Sequence, residues 1–164
     1  MSITCIRALT PFALAALTAM PAVAAANSQS HFDCRVTSST RLDHLGRGGQ
    51  PAELSEFTCR VSGGLLDGFV ANGTNIWEQG KDHDELLGSF VIARKGDAAV
   101  VYEVQHATRR TPDPQRRGAS REGTGYGLFK MATGSAAPLA GRSFRSVARS
   151  GAGGTFTVDT VVGD

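Results

Sequence analysis

The chain has 164 residues, 41% of them hydrophobic and 20% charged, and a formal net charge of +2 at pH 7. That length suits one domain that buries a sizeable core. So even a charge balance excludes a dedicated nucleic-acid-binding protein, whose surface carries a strongly basic stripe or patch.

In chain order, the first segment reads as an address. Met1 to Arg7 carries one basic side chain, Arg7. Ala8 to Met20 is uncharged and mostly Ala and Leu, and Pro21 then breaks any helix. Ala22, Val23, Ala24, Ala25 and Ala26 follow as small residues. A basic start, a short apolar stretch and an A-x-A-type box make a secretory signal peptide over residues 1–26. Cleavage is expected after Ala26, or after Ala24, leaving residues 27–164 as one domain. The apolar stretch is shorter than the roughly 20 residues that a spanning helix needs. No later segment is apolar enough to cross a membrane as a helix. The expected location is periplasmic or secreted, through a bacterial Sec-type route.

Cys5 leaves with the signal, so Cys34 and Cys59 remain. An even pair in an exported chain reads as a disulfide. With no third cysteine, a Cys zinc site or a CxxC redox pair is excluded.

From Cys34 onward, short apolar stretches alternate with Gly, Asp, Asn and Ser. This is the pattern of β structure. Strands are expected at Phe32–Thr37, Phe57–Val61, Leu65–Ala71, Thr74–Glu78, Leu86–Arg94, Ala98–Gln105, Gly125–Ala132, Arg142–Ala148 and Thr155–Val162. One short helix is expected at Ala52–Glu56, after Pro51. Gly63-Gly64 and Asn72-Gly73 read as turns, and Lys95-Gly96-Asp97 as a tight hairpin. In Ala98–Gln105, Ala98, Val100, Tyr102 and Val104 share one face. His106 to Thr124 reads as one long polar loop. Eight or nine short strands predict an all-β domain, an antiparallel, approximately eight-stranded closed barrel or else a sandwich. Closure removes the exposed edges that so many strands would otherwise present.

The segment Gly123-Thr-Gly-Tyr-Gly-Leu-Phe-Lys-Met-Ala-Thr-Gly134, with Pro138-Leu-Ala-Gly-Arg-Ser-Phe144 after it, resembles the late strands of the allene oxide cyclase, dirigent and related calycin-like barrels. Gly63-Gly-Leu-Leu-Asp-Gly-Phe69 and the Lys95–Asp97 hairpin suit the same layout. The resemblance implies an eight-stranded antiparallel barrel of lipocalin-like form with an apolar interior. Its members include a cyclase, proteins that guide radical coupling, and exported bacterial domains. It assigns no catalytic residue to a position in this chain.

Nucleophile elbows, phosphate loops and zinc-protease helices are absent from the sequence. Asp82-His83-Asp84-Glu85 is the densest run of metal-capable side chains. Neighbours on an extended chain point in opposite directions, so the run reads as a solvated turn, and no metal or cofactor is expected. Tyr102 and Glu103 point to opposite faces. An interior Tyr102 would meet a ligand or pack in the core. An interior Glu103 would be a buried acid with a raised pKa; an exterior one would be solvated. Trp77, Phe90, Tyr126 and Phe129 either wall a ligand pocket or fill the core. Arg109, Arg110, Arg116, Arg117 and Arg121 form a basic loop suited to an anion or an anionic envelope surface. The leading expectation is an exported barrel that binds a small apolar or amphipathic molecule, or serves as a non-catalytic module. The alternatives are a cyclase or isomerase working by confinement and an envelope-associated anion binder.

Overall fold

The structure is a computed structural model that describes residues 29–110 and 121–163. Residues 1–26, the expected signal peptide, and Arg116 and Arg117 of the expected basic loop lie outside them. Eight strands follow in order: β1 (Gln29–Leu42), β2 (Ala52–Ser62), β3 (Val70–Glu78), β4 (His83–Lys95), β5 (Ala98–Arg110), β6 (Glu122–Ala132), β7 (Ser143–Ser150) and β8 (Thr155–Val162). Each pairs antiparallel with the next, and β1 closes the barrel on β8. The expected closed antiparallel barrel is therefore present.

Local expectations failed in several places. Ala52–Glu56 is the start of β2, not a helix. From Ser55 to Ser62 buried and more exposed residues alternate, and that period of two outweighs the helix-start signal of Pro51. Asn72-Gly73 lies within β3 rather than at a turn, and Leu65 and Leu66 belong to a 3-10 turn at Gly64–Leu66. Gly73 is there to make room. A Cβ at this position would collide with the Phe57 ring from β2.

The interior is filled at one end only. Four aromatic rings, Phe32, Tyr102, Phe129 and Phe144, pack edge-on or tilted, with centroids 4.9–6.3 Å apart. Leu66 and Phe69, from the β2–β3 connection, cap this end together with Ala136 and Leu139 from the β6–β7 connection. Gly127 lets the rings sit this close, because a Cβ there would overlap the Phe144 ring and the Glu103 carbonyl. Gly127→Ala is expected to cost about 1–3 kcal/mol through overpacking. An unchanged urea midpoint would show that both the Phe144 ring and the Glu103 carbonyl can move aside.

Cys34 and Cys59 are direct partners across β1 and β2, with Cα atoms 4.0 Å apart, and they are disulfide-bonded. Both are buried in the barrel interior.

Candidate functional site

The other end of the barrel is hollow. A cavity of about 420 Å3 opens there, between the ends of β2, β3, β4 and β5 on one side and β6, β7 and β8 on the other. Its lower walls are apolar: Phe57, Val104, Phe156 and Val158. The wall from β6 and β7 is thin, made of Gly123, Gly125, Ser146, Ala148 and Ser150. These small side chains leave the volume that the aromatic rings occupy at the closed end. An eight-stranded barrel has room for packed side chains or one small ligand, and this one divides its length between the two. Below the cavity lies a smaller space of about 70 Å3, which reaches toward Tyr102 and the disulfide.

The mouth is held by a buried ionic cluster. Arg109 Nε donates to Asp84 Oδ2 at 2.8 Å, and Arg109 Nη2 donates to Glu53 Oε2 at 3.0 Å. The Asp84 side chain is only 5% exposed. Arg121 Nη1 stands 3.9 Å from the same Asp84 oxygen. The guanidinium of Arg109 lies over the Trp77 ring, 4.5 Å from its centroid. Ser39 donates to the other oxygen of Glu53 at 2.8 Å. Burial alone would push the Glu53 carboxyl up. The hydrogen bonds from Ser39 and Arg109, with the charges of Arg109 and Arg121, outweigh it and hold the group below its usual range. Glu53 thus stays ionised at neutral pH and is poorly suited to exchange protons there.

Two β-bulges assemble this cluster. In β4 the pairing skips Leu87, from Ile76 opposite Gly88 to Trp77 opposite Leu86. In β5 it skips Gln105, from Val104 opposite Gly127 to His106 opposite Tyr126. An extra residue reverses the facing of everything beyond it. Asp84 and Arg109 therefore turn inward, where strict alternation would have placed Glu85 and Arg110. The expectation of a solvated turn at Asp82–Glu85 is corrected for Asp84 by this bulge. The loop expected from His106 is shorter too, since β5 continues to Arg110.

The predicted site residues divide. Trp77 lines the cavity. Tyr102 and Phe129 are packed in the closed end, and burial pushes the Tyr102 phenol up. Glu103 faces outward and pairs with Lys130 at 2.6 Å, which holds its carboxyl below the usual range. It is no buried acid. Phe90 and Tyr126 are 55% and 51% exposed on the outer surface, so they do not wall the interior. Arg109 and Arg121 face acidic partners at the mouth, while Arg110 is exposed at the end of β5. Sequence reasoning missed Glu53, Asn75 and the small residues of β6 and β7. The alternation of Ser55, Phe57 and Cys59 in β2 already places Glu53 on the inner face.

Among the described residues, no group of three His, Cys, Asp or Glu side chains is placed to hold a metal ion. No helix among them is long and apolar enough to cross a membrane. No family model, curated protein or solved structure matches the chain.

Proposed function

We propose that this protein is an exported binding barrel that holds one small apolar or amphipathic molecule in the cavity at its open end. The uneven filling of the interior carries this reading: aromatic rings occupy one end, and Gly, Ser and Ala leave about 420 Å3 at the other. That volume lies in the range of small-molecule sites, and apolar walls with a few polar groups are their usual lining. The Cys34–Cys59 bond suits an oxidising compartment, as an exported chain would meet. Binding is favoured over acid–base catalysis because both oxygens of Glu53 are already engaged, one by Ser39 and the other by Arg109. A cyclase or isomerase acting by confinement would use the same cavity, and binding would still be its first step. An anionic partner at the mouth arginines is disfavoured, because Arg109 is already paired with Asp84 and Glu53.

The neutral dye N-phenylnaphthylamine tests the reading. The oxidised protein is expected to bind it saturably, with enhanced dye emission. Ala148→Phe places a ring in the cavity and is expected to weaken binding at least tenfold without altering the far-UV spectrum. Absence of saturable binding to the parent protein, or equal binding to the variant, would remove the cavity from the account.

A further inference from the structure

Inside the barrel, three polar side chains lie side by side on one rung. Ser55 of β2 is the register partner of Asn75 in β3, and Asn75 is the partner of Ser89 in β4. All three line interior space: Ser55 the large cavity, Ser89 the small one, and Asn75 both. The groups around them are mostly apolar, Phe57, Val91, Val104, Phe156 and Val158 among them, with Tyr102, Ser146 and Thr160 as the other polar side chains. A polar rung among such walls is costly unless something pairs with it.

The protein leaves that rung largely unpaired. Ser89 Oγ is buried and has no hydrogen-bond partner. The Asn75 carboxamide takes none among the described residues, although it offers two donors and an acceptor. Ser55 Oγ makes one long bond, 3.4 Å to Glu53 Oε1. The mouth is the opposite case. Arg109 is bonded to both Asp84 and Glu53, and Glu53 also to Ser39. Unmet hydrogen-bonding capacity therefore lies deep in the barrel, while at its entrance Arg109 and Glu53 are already bonded to their partners.

We propose that the Ser55–Asn75–Ser89 rung is the polar subsite of the cavity, and that it takes an uncharged hydroxyl or carbonyl group carried inward on an apolar body. This rests on the binding reading above and adds the ligand's chemistry and direction. The ligand enters polar end first and leaves its apolar part against Phe156, Val158 and the thin β6–β7 wall. A carboxylate is rejected at this depth. The cations nearest the entrance, Arg109 and Arg121, already face Asp84, and an unpaired buried charge is strongly disfavoured. A wholly apolar molecule is rejected less strongly, because it would leave the rung unpaired.

Three probes with one skeleton test this: phenylbutanol, butylbenzene and phenylbutyrate. Trp77 is the single tryptophan and lines the cavity, so its emission reports occupancy. Phenylbutanol is expected to bind at least tenfold tighter than either of the other two. Asn75→Leu is expected to abolish the preference over butylbenzene while butylbenzene still binds. Ser89→Ala, a smaller change, is expected to reduce the preference and serves if Asn75→Leu does not fold. Equal binding of phenylbutanol and butylbenzene by the parent protein would overturn the polar subsite and leave the cavity reading standing. Phenylbutyrate as the tightest probe would overturn it in favour of a head group at the mouth arginines. If no probe saturates and the dye does not bind either, the subsite and the cavity reading fall together.

Discussion

Arg109→Leu is expected to lower the free energy of unfolding by about 3–5 kcal/mol, the usual cost of leaving one partner of a buried ion pair unmatched. The loss is not that of a surface salt bridge, which is about 0–1 kcal/mol. It is large because Asp84 is almost sealed from water and Arg109 is the cation closest to it, with Arg121 at 3.9 Å. Leu at this position keeps apolar contact with Trp77 but supplies no charge. The double variant Arg109→Leu, Asp84→Leu removes both ions and is expected to recover most of the stability, since apolar replacements of buried pairs are often neutral or better. Urea denaturation followed by far-UV circular dichroism measures both. If the single variant is as stable as the parent protein, Arg121 or water replaces Arg109 at Asp84, and Arg109 does not hold the mouth.

Loss of the disulfide is the second large effect. Cys34→Ala with Cys59→Ala is expected to cost about 3–4 kcal/mol by the chain-entropy relation for a bridge with a sequence separation of 25. The bond joins neighbouring strands that are already in register, so its removal moves no strand. Its effect falls mainly on the unfolded chain, which regains the freedom that the loop denied it. The urea midpoint is therefore expected to drop while the slope of the transition rises, because the unlinked chain exposes more surface. A change below about 1 kcal/mol would mean that the unfolded chain keeps β1 and β2 together without the bond.

The barrel was legible in the sequence because its signals are repeated. Ala98, Val100, Tyr102 and Val104 alternate cleanly, the Lys95–Asp97 hairpin is local, and Cys34 and Cys59 mark two adjacent strands. The mouth was not legible because it depends on single extra residues. Nothing in the composition distinguishes Leu87 or Gln105 from ordinary strand residues. Each nevertheless reverses the facing of the strand beyond it, bringing Asp84 to Arg109. Phe90 and Tyr126 show the converse error. Both are large aromatics on the outer face, and residue type alone does not distinguish one face of a strand from the other. Asn72-Gly73 resembles a turn in isolation, and only the Phe57 ring across β2 and β3 explains why a glycine stands in mid-strand.

The seam between β1 and β8 governs the order in which the molecule assembles. Every other pairing joins strands that follow one another in the chain. This one joins Gln29 to Val161, and along it Thr160 bonds to the carbonyl of Ser30 across 130 positions. A nascent chain can form each hairpin as it appears, but β1 keeps one free edge until β8 has emerged. Closing a loop on that scale costs more chain entropy than forming any of the hairpins. Until β8 has emerged the molecule is an open sheet, and only that strand's arrival closes the cylinder.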